Sequence, residues 1–248
     1  TAELIQAMRK QVEELEVEIR YEEVNKITGA SGLFKVSSSE AGYEAKTVII
    51  ASGACPKKLG IPGEAKLIAR GVSYCGTCDG PLFKNKEIFV VGGGDKAVEE
   101  AIYLTRFASK VSLIHRRQEL RASKILQERL FENKKIEVLW DTVPLEILGD
   151  KVVEGIRIKN LKSSETKELK ASGVFVFVGI HPHTQFLGDM IKLDEIGFIL
   201  TDEDMRASLE GVWACGDCRR KTLTQVITAC SDGAIAAFNA NRYLEIKK

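Results

Sequence analysis

Apolar residues recur at helical spacing in the first fifteen positions, with Leu4, Ile5, Met8, Val12 and Leu15 on one face and charges on the other, which predicts an amphipathic helix over 2–15. Segments 16–28, 33–39 and 43–51 alternate as β-strands do, with Gly29-Ala30-Ser31-Gly32 as the turn between the first two. The third segment runs into Ser52-Gly53-Ala54, and a buried strand opening onto a small-residue loop is where α/β sheets place ligands. Pro56, Gly60, Pro62 and Gly63 then crowd together, as at a domain crossing. Beyond them the pattern predicts a strand at 86–91, a tight turn at Gly92-Gly93-Gly94, a helix at 97–107, a strand at 110–114 and a helix at 118–133. That βαβα order implies parallel strands with right-handed crossovers. Further strands are expected near 136–140, 152–160, 167–170 and 174–180, and Gly179-Ile180-His181-Pro182 marks a return crossing. A short strand at 211–216 and a helix at 224–244 complete the chain, which holds no internal repeat.

Composition narrows the class. The 248 residues exceed the usual single-domain size and favour two domains, and 44% hydrophobic residues suffice for a real core. A net charge of +1 leaves no basic footprint for nucleic acid or an anionic membrane surface. The longest apolar run, 174–180, is far too short to span a bilayer, and no leader pattern opens the chain, so a cytoplasmic α/β protein is expected. Six cysteines include two CxxC pairs, which in such a protein read as redox or metal chemistry before structural staples.

Gly92-x-Gly94-x-x-Ala97 follows a strand and opens a helix, the context that turns a glycine triplet into a dinucleotide fingerprint rather than a plain strand-to-helix turn. The first glycine permits the turn, the second lets a pyrophosphate approach the backbone, and Ala97 lets helix and strand pack closely. After the second strand, NAD sites usually carry an acid for the ribose hydroxyl. This sequence has His115-Arg116-Arg117, with Arg121 beyond, which suits a 2′-phosphate and hence NADPH; a solvated basic helix start is the plainer alternative.

Cys75-Gly76-Thr77-Cys78-Asp79-Gly80 places two thiols within disulfide reach at a helix start, with Asp79 able to move the proton that exchange requires. Half of a zinc site, completed by Cys215 and Cys218, is the competing reading; the long separation of the pairs disfavours it, and no metal is expected. Cys55, Cys215, Cys218 and Cys230 read as packing thiols, and His181 and His183 as loop residues.

These motifs, with Asp95 and Ala97-Val98-Glu99-Glu100-Ala101, the tail Trp213-Ala214-Cys215-Gly216-Asp217, then Gln225-Val226-Ile227-Thr228-Ala229 and Asp232-Gly233-Ala234, resemble the low-molecular-weight bacterial type of thioredoxin reductase over nearly the whole chain. The resemblance implies two Rossmann-like domains, an NADPH-binding domain (56–183) carrying the CxxC and inserted into an FAD-binding domain (1–55 and 184–248), rotating about their crossings. It implies a cytoplasmic homodimer that passes electrons from NADPH through FAD to the Cys75–Cys78 disulfide and on to thioredoxin or a similar dithiol protein. In it Cys78 faces the flavin, Cys75 attacks the partner and Asp79 is the acid–base group; Gly92, Gly94, Asp95, Ala97, His115, Arg116, Arg117 and Arg121 hold NADPH.

For FAD the resemblance implies Ser52, Gly53, Ala54, Gly216, Asp217, Gln225 and Val226, with Asp217 on the ribityl or pyrophosphate region and the helix start near Gln225 facing the ring. A second glycine fingerprint is not found; by family analogy it precedes Thr1 with the first strand and the ribose-binding acid, so a sheet edge and part of the core are expected to be exposed. Thr224 and Lys96 are smaller departures, standing where the family often has Arg and Ser. Two alternatives remain open: a related flavoprotein serving another dithiol protein or donor, and a flavin-free NADP(H)-binding redox module.

Overall fold

A computed structural model describes residues 2–30 and 32–247, so Ser31 of the expected first turn lies outside the described residues. The chain forms two compact units, Thr1–Ala54 with Pro182–Lys248, and Cys55–His181. In the first, α1 (Ala2–Glu14) precedes an antiparallel meander of β1 (Val24–Ala30), β2 (Leu33–Ser38) and β3 (Gly42–Ala45). The expected strand over 16–28 begins only at Val24, because residues 17–23 have no ladder partner among the described residues. The expected strand over 43–51 is likewise two: β3 closes the meander, and β4 (Val48–Ile50) leaves it for another sheet. The chain then crosses to the second unit through β5 (Ala54–Pro56).

The second unit is built on a five-stranded sheet in the order β6-β13-β7-β8-β9. It contains β6 (Val72–Ser73), α2 (Gly76–Asp79), β7 (Glu87–Gly92), α3 (Asp95–Leu104), β8 (Lys110–Ile114), α4 (Lys124–Glu132), β9 (Ile136–Leu139) and, after the meander β10 (Thr142–Leu148), β11 (Gly155–Asn160) and β12 (Thr166–Lys170), β13 (Gly173–Phe177). The ladders of the five-stranded sheet are parallel, those of the meander antiparallel, and both faces of the parallel sheet are covered, as all-parallel sheets require. The pleat sends Ile88 and Val90 to one face, where they pack with Val98, Ala101 and Leu104 of α3 and Leu130 of α4. Phe89 and Val91 point the other way, onto Ile147, Ile156 and Ile158 of the meander. Strand β10 escapes the hydrophobic pattern because Pro144 interrupts it; the register shifts between Pro144 and Glu146, where a missing donor is tolerated. The expected helix over 118–133 starts only at Lys124, since residues 118–123 are held as a loop.

The chain returns through β14 (Ile180–Pro182), which pairs with β5, and reaches β15 (Val212–Ala214) and α5 (Val226–Ile246). Strands β15 and β4 pair in parallel with Ala214 opposite Ile50, so both end on the same side. Their two-stranded sheet gives β4 a ladder on one side only, and Ile49 is 40% exposed. The first unit's core gathers Ile27, Phe34, Ile50, Ile199, Val212 and Ala214, and a second cluster sets Trp213 and Cys215 against Ala236 and Ala240 of α5.

Candidate functional site

Cys75 caps α2, and its Sγ accepts a hydrogen bond from the Cys78 amide at 3.2 Å. The two cysteines are disulfide-bonded with Cα atoms 5.3 Å apart, and Cys78 is exposed. Ser73, buried at the end of β6, organises the turn: its hydroxyl donates to Asp79 Oδ2 at 2.6 Å and accepts from the Cys75 amide at 3.1 Å. Ser73 is absent from the sequence reading; the only signal for it is a small polar residue two positions before the cysteine.

The same unit carries the glycine loop. Gly92 has φ +157°, and a Cβ there would stand 2.5 Å from Ala97 Cβ and 2.6 Å from the Phe177 carbonyl oxygen, so glycine and alanine at 92 and 97 answer one close approach. Gly94 caps α3 with open space around its Cα. Gly93 is constrained instead by His115, whose ring would meet a Cβ at 2.2 Å. His115 is buried, with Nδ1 2.9 Å from the Gly92 carbonyl and Nε2 2.9 Å from that of Glu119. Both ring nitrogens therefore sit against protein carbonyls, so that His115 bridges two loops. The Arg121 amide adds a bond to the Gly93 carbonyl at 2.7 Å, and Asp95 Oδ1 accepts from the Ser123 amide at 2.6 Å. These bonds hold 118–123 out of the helix.

Arg116, Arg117 and Arg121 are exposed and line a cavity of about 350 Å³ with Gly92, Gly93 and Lys58, a cation that no motif announces. Among the described residues no acidic side chain pairs with the three arginines, which leaves their guanidinium donors open to an anion.

In the first unit the carboxyl ends of β4 and β15 bring Ser52 and Gly53 to the same side as Gly216 and Asp217. Gly53 and Gly216 adopt φ of +70° and +72°. The Ser52 hydroxyl donates to the His183 carbonyl, and the His183 amide donates to that of Gly53 at 3.0 Å. Asp217 Oδ1 is buried without a partner, and burial pushes the Asp217 carboxyl above its ordinary range. Burial also works to raise Asp232, but bonds from Arg219 at 3.0 Å and Lys221 at 2.6 Å outweigh it and hold that carboxyl below its usual range. Gln225 caps α5, its amide bonded to Thr228 Oγ1, and Val226 is 45% exposed. A cavity of about 800 Å³ takes in Ser52, His183 and Val48–Ala51, whereas Gly216, Asp217, Gln225 and Val226 lie outside its lining.

The remaining cysteines divide. Cys218 is fully buried and its Sγ reaches the carbonyls of Ile50 and Cys215, while burial raises the Cys215 thiol. Of the two CxxC pairs, one is a disulfide in the second unit, and the other packs in core clusters of the first. Cys55 is exposed in β5, against its reading as a packing thiol, and His181 lies in β14 rather than in a loop.

A parallel nucleotide-type sheet bearing a CxxC disulfide defines a pyridine nucleotide-linked disulfide oxidoreductase. Residues 1–233 match the pyridine nucleotide-disulphide oxidoreductase family. The chain is 46% identical over 98% of its length to the thioredoxin reductase of Peptoclostridium acidaminophilum, covering 79% of that protein, and 44% identical to that of Treponema pallidum with the same coverages. The crystal structure of thioredoxin reductase from Streptococcus pyogenes superposes with a TM-score of 0.94 at 47% identity, covering 98% of this chain and 80% of that one. The chain thus belongs to the pyridine nucleotide-disulphide oxidoreductases and, within them, to the thioredoxin reductase family.

Proposed function

We propose that the protein reduces thioredoxin, or a similar dithiol protein, with electrons taken from NADPH through FAD. The observation that carries this reading is the Cys75–Cys78 disulfide, placed beside Asp79 in the unit that also holds the glycine loop and the unpaired arginines. We assign Cys55–His181 as the NADPH-binding domain and the remainder as the FAD-binding domain, following the glycine loop in one and the β4 and β15 loops in the other.

The residues present fit both groups. Arg116, Arg117 and Arg121 offer charge-assisted donors to a 2′-phosphate, and the backbone at Gly92 to Gly94 leaves room for a pyrophosphate. The unpartnered Asp217 oxygen suits a hydroxyl donor such as a ribityl group, and the N–H groups opening α5 suit an electron-rich ring edge. When bound, the flavin relays the two electrons of a hydride to the disulfide.

In the reduced pair, the Cys75 thiolate attacks one sulfur of the partner disulfide, forming a mixed disulfide and releasing the partner's other sulfur as a thiolate. Asp79, held by Ser73, is the group that supplies or takes the proton. The Cys78 thiolate then attacks Cys75 Sγ, re-forming the intramolecular disulfide and freeing the partner's second thiol. Two electrons pass in all.

Homodimerisation is proposed from the family resemblance and from the apolar side chains exposed on the first unit, including Ile227 at 75% and Phe238 at 68%. No helix among the described residues is long and apolar enough to cross a membrane. Action in the reducing cytoplasm accords with Cys215 and Cys218 standing as thiols. The test supplies the chain with FAD, NADPH and oxidised thioredoxin and follows NADPH oxidation. Turnover should fall to background in Cys75→Ser while NADP⁺ binding is unchanged; persistent thioredoxin reduction in that variant would overturn the exchange role.

A further inference from the structure

One buried acid lies against the backbone of Gly76, the residue between the two cysteines, and has no part in the chemistry above. Glu100 on α3 is 6% exposed. Its Oε1 pairs with Lys96 at 2.6 Å, whereas Oε2 is buried with no hydrogen-bond partner. That second oxygen presses on the backbone of α2: a Cβ on Gly76, the residue following Cys75, would stand 2.0 Å from it. Glycine at 76 is therefore what lets a carboxylate approach the turn that joins the two cysteines. Lys96 pairs with Oε1 only and is 69% exposed at its side chain, so water screens the lysine far more than it screens the buried Oε2.

We propose that Glu100 is a positioning residue of the redox pair, a buried carboxylate beneath Gly76 that keeps the reduced Cys75–Cys78 couple in its dithiol form until exchange begins. This inference rests on the redox reading of that disulfide. Two electrons break the Sγ–Sγ bond and two protons complete the thiols; the pair becomes nucleophilic only when one proton leaves again. A negative charge close by disfavours that loss, and a four-residue α2 has too little dipole to offset it. The charged groups on the packed elements include Asp95 and Glu99 of α3, Glu87 at the start of β7 and Lys110 at the start of β8. Lys96 is also on α3, and Asp79 on α2 is engaged by Ser73. Lys124, Glu128, Arg129 and Glu132 of α4 make no ion pair with Glu100.

The experiment uses the whole chain, reduced with dithiothreitol and freed of it, and measures the rate of alkylation by iodoacetamide across the neutral and alkaline range. In Glu100→Gln the midpoint of thiol reactivity should fall by about one pH unit, with several-fold faster alkylation at neutral pH. The pair should also be easier to reduce, since its thiolate form is stabilised. Glu100→Asp, which keeps the charge, should restore the profile of the unaltered chain. If Glu100→Gln does not fold, Glu100→Met, uncharged and of similar length, should show the same shift. Coincident profiles for the charged and uncharged variants would overturn the proposal and leave Oε2 as a group satisfied by buried water. Failure of the unaltered pair to cycle between disulfide and dithiol would instead refute the redox reading.

Discussion

The three arginines around the glycine loop allow a sharp quantitative test of nucleotide choice. None is paired with an acid among the described residues, and all are exposed on the wall of the same cavity, so a 2′-phosphate meets donors that need not be released first. A hydrogen bond to a charged group contributes about 1.5–3 kcal/mol. Exposure to water places each arginine at the low end of that range, and about 1.4 kcal/mol corresponds to a tenfold change in Kd. Arg117→Ala should therefore weaken NADP⁺ about tenfold while changing NAD⁺ by less than about twofold. The triple variant at 116, 117 and 121 should lose about a hundredfold or more for NADP⁺ alone, and the two nucleotides should converge. Raised salt should weaken NADP⁺ in the unaltered chain more than NAD⁺. Isothermal titration calorimetry with the oxidised nucleotides reads all of this without any requirement for turnover. Equal losses for the two nucleotides in Arg117→Ala would refute the argument, because an arginine that touches the 2′-phosphate cannot be felt by a ligand lacking it.

His115 should behave differently. Its replacement by Ala removes the clasp between the carbonyls of Gly92 and Glu119, so both nucleotides should weaken together by about tenfold, measurable in the same titration. Gly93→Ala, whose Cβ would meet the His115 ring at 2.2 Å, should reproduce that loss with a lowered Tm. Asp232→Asn should cost about 3–5 kcal/mol in denaturant unfolding, because it leaves the buried Lys221 and largely buried Arg219 without their carboxylate. Asp232 has its folded-state value lowered, so its stabilisation is present above the ordinary carboxylate range and should be lost as pH falls through and below it. Asp217 has its value raised by burial, so the folded state favours its protonated form and the associated stability declines as pH rises through the carboxylate range. Asp217→Asn should accordingly raise the Tm of the ligand-free chain at neutral pH while weakening flavin retention, read by thermal scan and visible absorbance.

Pattern served best where a segment is buried on both faces. The strand–turn–helix from Glu87 to Leu104 is legible because alternating Ile88, Phe89, Val90 and Val91 must fill both sides of a covered parallel sheet. It failed where tertiary contacts overrule local pattern. Residues 118–123 have the composition of a helix start, yet the Arg121 amide bonds to the Gly93 carbonyl and the Ser123 amide to the Asp95 carboxylate, long-range contacts that local pattern does not register. Residues 17–23 look like a strand and stay irregular, because a ladder needs a neighbour that sequence pattern alone does not supply.

The cysteines, Asp79 and the arginines were legible because chemistry constrains their type and spacing together. Ser73 was not, Glu100 stood in a motif without a role, and in both cases the reason is geometric. Each acts by proximity to backbone, Ser73 at the Cys75 amide and Glu100 against Gly76, and proximity of that kind leaves its trace in the neighbour. The trace of Glu100 is a glycine inside the CxxC, and that of His115 is the middle glycine of the triplet, which a nucleotide fingerprint does not require. A glycine in a motif therefore carries two kinds of demand, room for a ligand and room for the protein's own side chain. Gly94, with open space around it, answers the first; Gly93 and Gly76, each within 2.2 Å of a buried side chain once a Cβ is added, answer the second. Alanine at 94 should thus be felt only when nucleotide is present, whereas alanine at 93 or 76 should be felt in the ligand-free chain as well.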